Sequence, residues 1–383
     1  MQEAYYHLAI FGAVPSDVLT TVEYELRSRL AELQLELGQE VSWYVGAPED
    51  FKGEGEQCTA ALCFPLEEQS ERAVVQLMKD GIPIIPVATQ KSTLPQEFSV
   101  RLAKLNGLSL DMDSASTLAL SLLECASLLP RQRKVFLSYR RTESTDAALQ
   151  LYAALSERLF DVFLDTHEIL PGEHFQDVLW QKLCDSDVML YLDTPDYFGS
   201  RWTTAEFGRA GWRGVALLRA GWPGVDMDSR SQYTTNLALA AEDFCADKTK
   251  LTDEAILKIC SAVENLRAES VATRYKYLID SLRVSVGRAK GKLEGVSLRR
   301  SLIATTWNDK KIAIYPALGV PTTYTLHAAT EDNHPPPVAV VYDDIGIQER
   351  KWQNHMEWIA DYVKGDVRLI SMYGAGWNFE DWN

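Results

Sequence analysis

Short apolar runs alternate with amphipathic stretches along most of the 383 residues. In the first third, residues 5–11, 41–45, 60–64 and 82–87 are strand-like. Between them, apolar positions recur at helical spacing from Ser16 or Asp17 to about Leu37, and from about Glu67 to Lys79. Apolar strands separated by helices predict a parallel sheet covered on both faces. Residues 118–129, apolar except around Glu124, read as a buried helix. After the basic connector Arg131-Gln132-Arg133-Lys134 the alternation restarts: strands over 135–139, 161–165, 187–193 and 216–218, with helices over 146–159 and 175–183. Residues 226–253 show no clear period. A helical pattern over 254–286 is followed by strand-like runs at 311–315, 338–342 and 367–371. Pro335-Pro336-Pro337 breaks the chain before the second of these runs, and an amphipathic helix over 349–363 separates the second from the third.

This pattern predicts an α/β chain of three modules, as expected for a length well above the ~100–200 residues of one domain. Residues 1–130 form a Rossmann-like or receiver-like α/β domain of unassigned role, and 131–225 a second parallel-sheet domain. Residues 226–253 are a linker or extension, and 254–383 a helical segment plus a C-terminal α/β module, a candidate sensor or assembly domain. Hydrophobic residues at 46% allow real cores, so disorder is not the expectation.

Charge narrows the partners. With 54 acidic against 38 basic residues the net charge is −16, a surface that repels polyphosphates, so no nucleic-acid binding is expected. No run approaches the ~20 apolar residues of a membrane span, and no basic segment precedes an apolar stretch at Met1; a cytoplasmic location away from membranes is expected. The six cysteines are scattered without a CxxC pair and read as reduced core thiols. His167 and His174 lack further ligands nearby, and no metal is expected. The turn from Gly12 to Ser16 and the pair Asp343-Asp344 are each compatible with ligand binding or with plain turns. The glycine-rich aromatic tail after Gly374 suits packing on its own module or on a partner.

The central module carries specific motifs. Val135-Phe136-Leu137-Ser138-Tyr139-Arg140-Arg141 resembles the first strand and loop of TIR (Toll/interleukin-1 receptor) domains. Residues 166–174, containing Leu170-Pro171-Gly172, resemble the family's BB loop, and 175–183 the helix after it. Thr194-Pro195-Asp196-Tyr197-Phe198-Gly199-Ser200-Arg201-Trp202-Thr203-Thr204-Ala205-Glu206 resembles the signature Ser-Pro-x-Tyr-x-x-Ser-x-Trp-Cys-x-x-Glu, with Thr194 and Thr203 in place of serine and cysteine. The resemblance covers roughly a quarter of the chain and implies a flavodoxin-like parallel sheet.

Resemblance to the enzymatic branch implies that Glu206 is catalytic and that NAD is the substrate, with no separate cofactor. Nicotinamide leaves as a neutral base from a cationic ring and needs no general acid; the developing oxocarbenium needs a carboxylate beside the ribose. Trp202 lies one helical turn before Glu206, placing its indole to stack on the substrate. Tyr139, Arg140 and Arg141 end the first strand, at the edge where open α/β sheets bind ligands; an arginine there pairs with a pyrophosphate or orients Glu206. For Arg141, capping the sheet or pairing with Asp165 or Glu168 stands as an equal alternative. Phe175 matches a cleft position of active members, with a core role as its alternative.

By the same resemblance, Leu170, Pro171 and Gly172 close the cleft of a neighbouring copy, so a homo-oligomer assembled through TIR domains is implied. The flanking modules then become candidates for receiving an activating ligand or protein, as in bacterial antiviral immune proteins. The product, linear or cyclic ADP-ribose, depends on which nucleophile captures the oxocarbenium. Two other readings stay open: a non-enzymatic adaptor signalling through TIR–TIR contacts, and a nucleotide-signal receptor acting through residues 1–130 or 254–383.

Overall fold

The computed structural model describes residues 4, 6–52, 58–164, 175–199, 208, 210, 214–294, 301–331, 337–347, 349–363 and 365–381. They fall into two compact units, one within 1–131 and the other from 132 onward, the division lying in the basic connector.

The first unit is an all-parallel sheet of β1 (Tyr6–Phe11), β2 (Val41–Gly46), β3 (Thr59–Cys63), β4 (Ile84–Ala88) and β5 (Leu108–Ser109), in the order β2-β1-β3-β4-β5. Both faces are buried, which is why β3 and β4 read as continuous apolar runs rather than alternating ones. Helices α1 (Ser16–Glu32) and α4 (Ala115–Cys125) pack against each other, and α2 (Glu68–Lys79) and α3 (Leu94–Glu97) complete the unit. The first helix stops at Glu32, short of the expected Leu37. Gln34 adopts a left-handed φ of 59°, ending the helix, and Leu37 bridges to Val41. Leu33 and Leu37 are nonetheless buried, so their spacing reports burial rather than helix. Gly12 holds a φ of +89°, and a Cβ there would lie 2.5 Å from the Phe64 carbonyl oxygen, so the turn after β1 is closed against the turn after β3.

The second unit holds two sheets. The first is all-parallel: β6 (Arg133–Ser138), β7 (Phe160–Leu164), β8 (Val188–Asp193), β9 (Ala216–Gly221) and β10 (Thr235–Ala238), ordered β10-β9-β8-β6-β7. Read from the other edge, this is the same flavodoxin-like order as in the first unit. The stretch 226–253, aperiodic in sequence, thus contributes the edge strand β10. One face packs on helix α5 (Arg141–Glu157) and on the first half of a 36-residue helix, Asp253–Arg288, through Ala255, Ile259, Val263 and Leu266. The other face packs on helix α6 (Phe175–Asp185) through Leu179, Trp180 and Leu183.

The long helix is joined to this sheet by buried charge as well as by apolar packing. Arg267 Nε donates to Asp187 Oδ2 at 2.9 Å, and Ser270 Oγ donates to the Asp187 carbonyl at 2.6 Å. Lys134 N donates to the same carboxylate at 3.1 Å.

The second sheet of this unit is β11 (Lys292–Glu294), β12 (Leu302–Thr305), β13 (Lys311–Ala317), β14 (Val338–Tyr342) and β15 (Val367–Ser371) in chain order. The three runs expected from sequence form its parallel half, and β11 and β12 add an antiparallel half. Helices Thr323–Glu331 and Arg350–Val363 pack on it through Leu326, Met356, Trp352 and Ile359.

The last turn of α6 is a junction between the two sheets. Asp185 accepts from Lys134 Nζ at 2.7 and 2.8 Å and from the Val320 amide at 2.8 Å. Arg274 of the long helix donates to the carbonyls of Cys184 and Ser186 at 3.0 and 2.8 Å. Cys184, Val320 and Ile347 form a small buried cluster with Tyr342 and Trp352 against it.

The aromatic tail packs on its own unit: helix Ala375–Glu380 lies on the long helix, with Phe379 buried and Trp377 exposed. A Cβ at Gly376 would sit 2.2 Å from the Ser285 carbonyl oxygen. Gly376→Ala is therefore expected to destabilise the second unit by about 1–3 kcal/mol, the cost of overpacking a close contact. A lowered urea midpoint measures it; an unchanged midpoint would show that the tail moves away at no cost.

Candidate functional site

The strand order puts the topological switch between β6 and β8, since the chain leaves β6 for β7 on one side while β8 lies on the other. Ligands of open α/β sheets bind outside the carboxyl ends at such a point. Here those ends carry the first motif and the opening of the second, residues 194–199, brought together across more than fifty residues of chain.

Three residues at the β6–α5 connection, Ser138, Arg140 and Glu143, join them. Tyr197 Oη donates to Ser138 Oγ at 2.9 Å, both groups fully buried. The Arg140 guanidinium donates through Nη1 to the Asp196 carbonyl, and its Nη2 lies 3.8 Å from the Asp196 carboxylate. Glu143 Oε2 accepts from the Thr194 hydroxyl at 2.5 Å and from the Asp196 amide at 3.4 Å, with Arg140 Nε 3.9 Å away. A kink at Ser144 (φ −139°, ψ 23°) breaks the first turn of α5, where Glu143 lies. Gly199 leaves room for the arginine: a Cβ there would lie 3.2 Å from Arg140 Nη1.

Around this core the site is aromatic and charged. Phe198 meets Tyr197 edge-on at 4.9 Å, and the Arg230 guanidinium lies 4.1 Å from the Phe198 ring centroid. Hydrogen bonds from Arg230 hold the Asp228 carboxyl at about 2, below the usual carboxylate range, and raise the Arg230 guanidinium in turn. Asp193, the last residue of β8, and Arg219 within β9 form a buried pair at 2.6 Å. Arg219 also donates to Asn236 Oδ1 at 2.9 Å and to the Val225 carbonyl at 3.0 Å, using all three nitrogens. Burial raises the Asp193 carboxyl above its ordinary range, against the opposing pull of Arg219.

The expected site residues are placed as follows. Tyr139 is buried in the core with Ala147, Leu151 and Leu164, so its ring packs the sheet. Arg140 is engaged by the loop 194–199. Arg141, the first residue of α5, is exposed and has no side-chain partner among the described residues. Phe175 opens α6, but its side chain is not among those described. Leu170, Pro171, Gly172, Trp202 and Glu206 lie outside the described residues. Sequence reasoning missed Glu143, Asp193 and Arg219. A visible signal existed for the last: Arg219 is a lone charge in an otherwise apolar strand, and a buried charge requires a partner.

A parallel sheet in flavodoxin-like order, with two motif loops closed on each other at its switch point, defines a doubly wound α/β domain with a built carboxyl-edge site. The family model for the TIR domain matches residues 135–218. This chain therefore carries a TIR domain.

No curated protein matches the chain. Among solved structures, it is similar to a metazoan TIR-STING receptor from C. gigas, at 14% identity over 62% of this chain and 88% of that one, with a TM-score of 0.27. It is also similar to a Clostridium difficile 630 protein assigned as a phosphosugar isomerase, at 13% identity over 73% of this chain and 90% of that one, with a TM-score of 0.22. Neither likeness, at such scores, defines a fold or an activity. No helix of the described residues is long and apolar enough to cross a membrane.

Proposed function

We propose that this TIR domain cleaves NAD at the nicotinamide–ribose bond, releasing nicotinamide and linear or cyclised ADP-ribose. The observation that carries this reading is the joining of the Ser-Tyr-Arg-Arg opening to the loop 194–199, because that loop leads directly into the segment bearing Trp202 and Glu206. In this scheme Glu206 is the catalytic carboxylate. It sits beside the anomeric carbon and offsets the positive charge that appears as the base departs, a role that preorganised groups fill better than water does. Trp202 stacks on the nicotinamide or ribose. Arg141, at the same sheet edge and exposed, is available for the pyrophosphate, whereas Arg140 is committed to the loop. The family includes non-enzymatic adaptors as well as enzymes, and the Glu206 carboxylate favours the enzyme.

Self-association through residues 170–172 completes the proposed site across two copies, with activation in antiviral defence by a ligand or protein acting on the flanking modules. The test is direct: incubate the full chain with NAD over a range of protein concentrations, with and without crowding agent, and resolve nicotinamide and ADP-ribose species chromatographically. Nicotinamide release that rises more steeply than protein concentration is the expected result. No release at any concentration favours the adaptor.

A further inference from the structure

We infer that Glu143 is a positioning residue for the proposed reaction: with Thr194 and Arg140 it forms a polar clasp that sets the loop 194–199, and through it the placement of Glu206. The inference rests on the proposed NAD-cleaving reading for its kinetic consequence, but its geometry stands independently.

Glu143 belongs to the kinked first turn of α5, on a different strand–helix connection from the signature. Its side chain is about one-quarter exposed, whereas Thr194 is buried. The Thr194 hydroxyl donates to the carboxylate at 2.5 Å, within the short range typical of an O–H donor meeting a charged acceptor. The same oxygen accepts from the Asp196 amide. One carboxylate oxygen therefore ties down both a side chain and the backbone of the loop. Arg140 ties the opposite polarity: its guanidinium bonds the Asp196 carbonyl. With the Asp196 amide and carbonyl both held from the β6–α5 connection, the peptide planes flanking this residue have little freedom to rotate. The loop runs from Thr194 through a short turn, Tyr197–Gly199, and in the sequence Glu206 follows seven residues after Gly199. Threonine at 194 keeps the hydroxyl that the family's commoner serine supplies, and this contact gives that hydroxyl its use.

Such a residue touches no substrate, so its loss acts on the rate of the chemical step more than on binding. In Glu143→Ala and Thr194→Val, kcat for nicotinamide release is expected to fall about tenfold to a hundredfold, the scale of a small misplacement of a catalytic group, with KM for NAD changing much less. Thr194→Ser, which retains the hydroxyl, is expected to recover most of the loss seen in Thr194→Val. The double variant Glu143→Ala/Thr194→Val should lose little beyond Glu143→Ala alone, because that change already breaks the Thr194 contact.

Amide hydrogen exchange supplies a readout that needs no activity. Residues 194–199 of Glu143→Ala should exchange faster than in the native chain, while β6 and β8 keep their protection. Native-like exchange over 194–199 overturns the clasp. Faster exchange with unchanged kcat overturns the positioning role. Equal loss in Thr194→Ser and Thr194→Val would place the effect in side-chain shape and also overturn it. If Glu143→Ala fails to fold, Thr194→Val carries the same measurements. A native chain that releases no nicotinamide removes the proposed function alone, and the exchange data then decide whether the clasp exists.

Discussion

Glu206→Gln is expected to lower nicotinamide release from NAD on the order of a hundredfold to a thousandfold, the scale set by removing one preorganised electrostatic group from a transition state. The amide keeps the volume and one hydrogen-bond acceptor of the carboxylate but removes its charge. Because the leaving group is already cationic, no protonation step can take over as the rate-limiting source of assistance. The loss should therefore fall on kcat with little change in KM. Release measured chromatographically under saturating NAD is the readout, with the far-UV and near-UV spectra compared to show that the fold is intact. A variant as active as the native chain would transfer the chemistry to another group and remove Glu206 from it.

The second large effect is on stability. Arg219→Leu is expected to cost about 3–5 kcal/mol, because it leaves the Asp193 carboxylate buried without its partner. It also strips donors from Asn236 and from the Val225 carbonyl. The pH dependence follows from the raised Asp193 carboxyl, whose first cause is burial. A carboxyl that holds its proton more tightly folded than unfolded penalises the fold once it is ionised, and the penalty is relieved as pH falls through the folded-state value. Loss of Arg219 removes the main group opposing that shift, so the deficit should be greatest at neutral pH and smaller at mildly acidic pH. Adding Asp193→Asn should recover part of it, since the charge goes and the shape stays. Urea unfolding of the single and double variants at both pH values measures this. A loss below about 1 kcal/mol would mark the pair as no better than a solvent-exposed one.

Much of this architecture was readable in the sequence, for a physical reason. Strands of a parallel sheet buried on both faces must be apolar throughout, so β1, β3, β4, β6, β8 and β14 announce themselves as runs. The strands that were not readable lack this property. Strand β10, Thr235-Asn236-Leu237-Ala238, is mostly exposed at a sheet edge; β5 has two residues; β11 carries exposed Lys292 and Glu294. The long helix was legible as a helix, but its periodicity does not say that its first half covers the TIR sheet, since a buried face looks the same against any partner.

The site divides in the same way. Residue types in the two motifs identified which loops meet, and the structure adds how. Tyr139 stood beside two arginines in sequence, yet the chain direction after β6 turns its ring into the core and leaves only Arg141 exposed. Glu143 is one acid among 54, and only the kinked turn at Ser144 and the return of the β8 loop single it out.

The junction at the end of α6 has a mechanical consequence. Eleven residues of helix make a rod roughly 16 Å long at about 1.5 Å per residue, held at Asp185 by β6, the long helix and the loop after β13. The sheet that carries the site and the loop after β13 therefore share one anchor, the end of the helix that begins at Phe175.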